Sequence, residues 1–363
     1  MLFLYVKSPF TGNSGGTIEC VMLLNKLKTQ LIAVISTVLL LASCAPKPLT
    51  SEEILNEYQS GVVLVANTHY HTISIDGEDV FYFSSYSESD GLSGFTSDED
   101  SITYSVSWGT GFFVSGDGMI ATNSHVVNPK VDDKTISKNM SKLFSAIKVQ
   151  CQSEIDDYNV VIARLQNILS YEYDDDYYQM YQYAKQQRDE YQEIVENLSN
   201  ISSSDIEIKT HCKISVGFSE THVTELADME SCVVIKDDPE HDLAIIQLKN
   251  KRTPEERCVF EVPSDEEVEY EIDEKLYAIS YNMGPQLSIT ETGMRPQIQS
   301  GNISQITDNN QILYSIPTLP GSSGSPVIDS YGNLVAVNYA GISITQGFNY
   351  GIKVKHLYSL LNR

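Results

Sequence analysis

The chain has 363 residues, enough for one two-lobed domain or two small ones with a substantial core. Aspartate and glutamate number 49 against 24 lysines and arginines, a formal net charge of −25. That balance excludes a basic footprint for nucleic acid, favours solubility and repels anionic surfaces, and it says little about fold.

Residues 1–43 read as an upstream extension and an export signal. Met22 begins the better-formed start: Lys26 and Lys28 supply a positive segment, and Leu31 to Leu41 is an apolar run. Leu41-Ala42-Ser43-Cys44 resembles the bacterial lipoprotein signal box, which implies cleavage before Cys44 and its acylation. The competing reading is a transmembrane anchor, for which the run is short. Residues 44–55, with Pro46 and Pro48, form a tether. The implied location is the bacterial cell envelope, extracytoplasmic, with lipid as the contact to the membrane.

Ser51 to Gln59 predicts a short helix with Ser51 as N-cap. Val62 to Val65 reads as a buried strand. Residues 69–100 are polar and acidic and suit a long loop or hairpin, with a strand at Val80 to Phe83. His69 and His71 alternate on one side of the chain; metal ligation is one reading and simple exposure the more common one. Gly109 to Val127 reads as two strands around the tight turn Ser115-Gly116-Asp117-Gly118, with His125 just past the second strand.

Roughly Val131 to Lys209 has a different rhythm. Phe144, Ile147, Cys151, Ile155, Tyr158, Ile162, Leu165 and Leu169 step by threes and fours, which predicts a helix with one apolar seam. Asp174-Asp175-Asp176 makes a break. Tyr177, Tyr181, Ala184, Tyr191, Val195 and Leu198 give a second seam, so an antiparallel helical hairpin is expected. Its tyrosines suit a protein-binding face, or they pack within the hairpin.

Cys20 and Cys44 aside, Cys151, Cys212, Cys232 and Cys258 remain. In an exported chain they permit disulfides, with three pairings possible. Cys151–Cys212, stapling the base of the hairpin, and Cys232–Cys258 are the favoured pair; four free thiols are the alternative. Without a C-x-x-C pair, a structural zinc site is not expected, nor any cofactor.

Strands resume at Ile214 to Phe218 and Cys232 to Ile235. After a polar turn comes His241-Asp242-Leu243-Ala244-Ile245-Ile246, an aspartate at the mouth of an apolar strand. His241 has no assigned role. Thr253 to Tyr270 looks like a linker. Lys275 to Ser280, Leu287 to Thr290, Gln297 to Ile306, Ile312 to Ile316, Val327-Ile328, Leu334 to Gly341 and Gly351 to Val354 follow as strands, and His356 to Leu361 as a closing helix. Between two of them lies Pro320-Gly321-Ser322-Ser323-Gly324-Ser325-Pro326, a Gly-rich turn that can present one hydroxyl and converging N–H groups.

Gly109-Thr110-Gly111-Phe112 with Thr122-Asn123-Ser124-His125-Val126-Val127, then Asp242-Leu243-Ala244-Ile245, then Gly321-Ser322-Ser323-Gly324-Ser325-Pro326 resemble, in this order, the chymotrypsin-fold serine peptidases of the HtrA/Deg type. The resemblance spans residues from about Tyr58 onward, apart from the hairpin at 131–209. It implies an all-β double six-stranded barrel over 56–363, carrying the inserted hairpin and a C-terminal helix; unlike many HtrA-type enzymes, no PDZ domain is expected to follow. It implies His125 as general base, Asp242 as its orienting partner and Ser323 as nucleophile, with an oxyanion hole from the N–H groups of Gly321 and Ser323. Thr318, Asn338, Tyr339 and Ala340 would line the substrate, which would be a protein or peptide.

Two features depart from trypsin-like zymogens. Ser322 stands where an aspartate would pair with a freshly cut N-terminus, so no activation by N-terminal cleavage is expected. Pro317-Thr318-Leu319-Pro320 hold no carboxylate, so a small to medium apolar side chain is expected in place of lysine or arginine. An α/β-hydrolase is disfavoured because Ser325 replaces the second elbow glycine. The rival reading is a retired protease whose hairpin serves as a binding or scaffold surface.

Overall fold

The computed structural model describes residues 28, 47–264, 268–341 and 347–363. The export signal and Cys44 lie outside the described residues. From Thr50 onward the chain is one compact unit. Among the described residues no helix is long and apolar enough to cross a membrane.

Helix α1, Ser51–Tyr58, starts one residue earlier than its sequence suggests, because Thr50 rather than Ser51 is the N-cap. Thr50 and Glu53 form a reciprocal capping box, with Glu53 N–H on Thr50 Oγ1 at 3.3 Å and Thr50 N–H on Glu53 Oε2 at 2.7 Å. Ile54 is its buried face.

Strand β1, Val62–Ile75, is far longer than four residues. It runs on through the segment expected to be a loop, because two partners cover it there. Along Val63–Ile75 it pairs with β5, Ile206–Phe218, and its far half also pairs with β2, Glu78–Phe83. Strands β3, Ser105–Phe113, β4, Met119–Thr122, β6, Glu230–Asp238, and β7, Leu243–Leu248, complete the first sheet. Its order is β2-β1-β3-β4-β7-β6-β5, and the β1–β5 pairing closes six of the strands into a barrel. Alternate residues fill it: Val63, Val65, Ile214, Val216, Ala244, Ile246 and Leu248 share one core with Phe113 and Ile120.

The second barrel is closed in the order β8-β9-β10-β13-β12-β11. Its strands are β8, Lys275–Ser280, β9, Gln297–Ile306, β10, Gln311–Tyr314, β11, Pro326–Asp329, β12, Leu334–Gly341, and β13, Asn349–Lys353. Leu276, Ala278, Ile303, Ile312, Tyr314, Val327 and Val335 form its core. The stretch expected as a strand at 287–290 is instead a turn of helix, Pro285–Ser288, and a two-residue strand. A last helix, Val354–Asn362, closes the chain; it is called α5 below.

The hairpin is helix α3, Asp133–Tyr171, and helix α4, Asp175–Asn200. The break falls at the aspartates as expected, with Asp174 capping Asp176 and Tyr177 N–H groups. The first seam starts two turns earlier than its periodicity suggested: Ile136, Met140 and Phe144 pack with Ile73, Phe83 and Ile206 against the first barrel. The second seam is thin. Ala184 is its buried residue, while Tyr177 is 41% exposed.

His69 and His71 are buried inside β1 rather than exposed. His71 stacks on Phe83 at 4.7 Å and bonds Thr210 Oγ1 through Nδ1 at 3.0 Å. Burial first, and then the neighbouring His69 and His211, bring its pKa down from 6.5 to about 4. A neutral imidazole is therefore favoured in the fold. The unfolded chain binds the proton more readily, so stability falls as pH drops from about 6.5 to about 4. In denaturant melts across that window, His71→Phe should flatten the pH dependence by about 1–3 kcal/mol relative to wild type; an unchanged slope refutes the assignment.

Candidate active site

The candidate site is built from three turns. The first is α2, Ser124–Val127, a single helical turn directly after β4. His125 was expected at a strand end and instead sits on this turn, whose Val126 and Val127 are driven into the first-barrel core. Asn67 on β1 supports it from behind, its Nδ2 donating to Val126 O at 3.0 Å.

The second is the β6–β7 connection, which ends at Asp242. Asp242 has a left-handed backbone, φ +51°. Aspartate tolerates that region better than most residues, and the bend turns its carboxylate back toward α2. Both oxygens are used on one residue: Oδ2 lies 2.6 Å from His125 Nδ1, and Oδ1 accepts the His125 backbone N–H at 2.9 Å. Asn123 Nδ2 donates to Asp242 O at 2.9 Å, so the two turns are tied through backbone as well as side chains. With Nδ1–H given to the carboxylate, Nε2 carries the lone pair.

The third is the turn at Pro320–Ser325. Gly321 has φ +97° and Gly324 φ +85°. A Cβ on Gly324 would collide with Thr110 O and Thr122 Oγ1 and come within 3.1 Å of Asn123 N. The residue after Ser323 is thus pressed onto the strand ends that lead to His125. Ser323 O accepts the Thr110 N–H at 2.8 Å. The Ser323 hydroxyl makes no hydrogen bond among the described residues, to His125 Nε2 or to any other group. Ser322, Gly324 and Ser325 N–H donate to Leu319 O, Asn338 O and Ser322 O, at 3.0, 3.0 and 3.1 Å. The Gly321 and Ser323 N–H groups have no partner among the described residues. These are the two expected oxyanion donors.

A cleft of 470 Å³ opens beside His125 and Asp242, with Tyr339, His241, Gln311 and Ile352 in its walls. The Tyr339 ring meets the His125 ring edge-on at 6.4 Å. In β12, Asn338 pairs with Gly351 and the next registered pair is Gly341 with Asn349, so Tyr339 and Ala340 bulge out of the ladder. Thr318 is half-buried on the lead into the turn that bears Ser323. Residues 342–346, which follow that wall, lie outside the described residues.

Three expectations are corrected. Asn338 does not face substrate: it is 1% exposed, its N–H donates to Ser325 O at 2.8 Å, and its carbonyl takes the Gly324 N–H. The favoured disulfides do not form, since Cys151, Cys212, Cys232 and Cys258 are free thiols. Cys151 is buried in α3 while Cys212 is exposed on β5. Cys232 faces the barrel core, where burial pushes its thiol up to about 12, and Cys258 packs against Gly61. His241 does have a part to play. Its Nδ1 lies 3.2 Å from Asp238 Oδ2 and its ring stacks on His356 of α5 at 4.0 Å, bracing the turn that ends in Asp242.

Sequence reasoning missed Thr110. Its fully buried hydroxyl donates to Gly321 O at 2.7 Å and accepts the Tyr281 N–H at 3.0 Å. The signal available was a polar residue between two glycines in the buried half of its strand.

No curated protein matches this sequence. Residues 200–337 match the family model of the trypsin-like peptidase domain. That segment contains Asp242 and Ser323, while His125 precedes it. Among solved structures, a serine endoprotease from Yersinia pestis is similar at 12% identity and TM-score 0.43, over 87% of this chain and 66% of that one. The HtrA-type protease AlgW, solved with a tripeptide, gives 12% identity and TM-score 0.43, over 86% and 62%. The chain therefore spans less than two thirds of the length of either protein. Two closed six-stranded barrels, with helices between and after their strands, make this the trypsin-like fold, and residues 200–337 carry its peptidase-domain signature.

Proposed function

We propose that the protein is a serine endopeptidase acting on extracytoplasmic proteins or peptides. One observation carries this reading: Gly324, next to Ser323, is packed against Thr122 and Asn123 at the start of the turn that bears the two-point His125–Asp242 pair, and the Gly321 and Ser323 N–H groups are unbonded. Ser323 Oγ attacks the peptide carbonyl while His125 Nε2 takes its proton. The oxyanion forms against the two N–H groups. His125 then protonates the leaving amine, and water, deprotonated by the same ring, resolves the acyl-enzyme. Tyr339 and Ala340, bulged from the ladder, would receive the substrate strand. The absence of a carboxylate in Pro317–Pro320 supports a preference for uncharged, small to medium apolar side chains. Acylation at Cys44 would hold the enzyme on the outer side of a bacterial membrane.

The hairpin is proposed as an arm for a protein partner. Its distal end exposes Tyr171, Tyr173 and Tyr183 at 86%, 66% and 61%. Such rings add contact area at low entropic cost when covered.

A fluorophosphonate probe tests the chemistry. It should label the wild type and not Ser323→Ala, and Asp242→Asn should lower kcat by about 10⁴-fold. Failure to label folded wild-type protein would leave the scaffold reading in its place.

The arm is tested by trimming, with its base kept because Ile136, Met140 and Phe144 belong to the barrel-side core. Replacing residues 152–197 with a short Gly/Ser linker should leave turnover of a small peptide within about threefold of wild type. A collapse of that turnover would instead make the arm part of the catalytic unit.

A further inference from the structure

We propose that Asn338 is a positioning residue for the oxyanion hole, fixing the direction of the Ser323 N–H by holding the other end of the same peptide unit. The proposal rests on the peptidase reading above. It goes beyond it by assigning what replaces the N-terminal ion pair that trypsin-like zymogens use at this turn.

The argument begins with planarity. A trans peptide is rigid, so its C=O and N–H point in opposite directions, and anchoring one aims the other. The N–H of Ser323 belongs to the unit whose carbonyl is Ser322 O. That oxygen accepts three hydrogen bonds: from Asn338 Nδ2 at 2.9 Å, Ser325 Oγ at 2.6 Å and Ser325 N–H at 3.1 Å. Two of these come from within the turn and would move with it. The Asn338 bond comes from β12 and ties the turn to the second barrel. The N–H of Gly321 belongs to the unit whose carbonyl is Pro320 O, and Met283 N–H holds that oxygen at 2.6 Å. The unit between them is held by Thr110 Oγ1 on Gly321 O. Three successive carbonyls are thus gripped, and the donors at both ends are aimed by framework outside the turn.

Asn338 is itself held. Its Nδ2 also lies 3.2 Å from Ser322 Oγ, and its Oδ1 accepts the Tyr314 hydroxyl at 2.6 Å. Tyr314 is fully buried in the second-barrel core. The Tyr314 hydroxyl also has Tyr350 O at 3.1 Å as an acceptor, so what opposes turning the amide over is the loss of the donor to Ser322 O and the facing of two oxygens there. The network is neutral throughout and uses no chain terminus. In this arrangement the turn is competent as soon as the barrel folds.

The test uses the full chain. Active sites are titrated with a fluorophosphonate, and kcat and KM are expressed per titrated site. Asn338→Ala and Asn338→Asp, which removes the donor to Ser322 O while keeping the shape, should each lower kcat by about tenfold to a hundredfold, with KM within about threefold. Tyr314→Phe, which frees the amide to turn, should lower kcat by about threefold to tenfold. The pH midpoint of kcat should stay with that of the wild type, because the His125–Asp242 pair is untouched. A peptide boronate, whose adduct places an oxygen in the hole, should bind each variant more weakly by a factor close to its loss in kcat. If all three variants keep wild-type kcat per titrated site, with losses confined to melting temperature or active fraction, the residues serve the fold alone and the proposal is overturned. Failure of the wild type to react with the fluorophosphonate is a separate result that strikes the peptidase reading itself.

Discussion

The structure depends on the buried hydroxyl and backbone of Thr110. From one position on β3 this residue touches all the parts that must meet: its side chain joins Tyr281 N–H and Gly321 O, its N–H holds Ser323 O, and its carbonyl accepts the Thr122 hydroxyl at 2.8 Å. Two barrels with separate cores would otherwise be free to slide along their shared face. A fully satisfied polar cluster inside that face sets one register, since any slip strands several buried donors and acceptors at once. Flanking Gly109 and Gly111 are needed for the same reason: a Cβ at either would run into Val126 or Ile120 and push β3 off the neighbouring layer.

Much of this arrangement was legible in the sequence, and for identifiable reasons. Most strands of both barrels are short runs bounded by turns, so Lys275–Ser280 and Gln297–Ile306 fall where the sequence puts them. The pairing of His125 with Asp242 was readable because each sits in a string whose neighbours are constrained by geometry. What escaped was nonlocal. The long β1 looks polar past Val65, and it becomes a strand only because β2 and β5 sandwich it. His69 and His71 are polar letters in an apolar place for the same reason. Asn338 occupies a strand position one step from the bulge at Tyr339 and Ala340, and a single step along a strand exchanges one face for the other. The cysteines offered an even count but no distances, and even counts alone cannot bring side chains together.

The hairpin shows how a large insertion can be carried without disturbing the barrel it leaves. Both its ends return to the first barrel, where Ile136, Met140 and Phe144 share a small core with Ile73, Phe83 and Ile206. Further out, the two helices hold each other through Tyr158 stacked on Tyr191, and Gln166 bonded to the Tyr181 hydroxyl at 3.2 Å. The seam thins outward, with its deepest contacts near the base. Closing such a loop costs little more than closing a short one, because the entropy of closure grows only with the logarithm of length.

The left-handed backbone at Asp242 narrows what evolution can do there. A glutamate would meet two obstacles at once: an extra methylene where the imidazole already sits at 2.6 Å, and a residue type with little liking for φ +51°. Asparagine would keep the bend but lose the charge that steadies an imidazolium. Drift at this position therefore has few neutral exits: the bend and the imidazole together leave room for little but the acid itself.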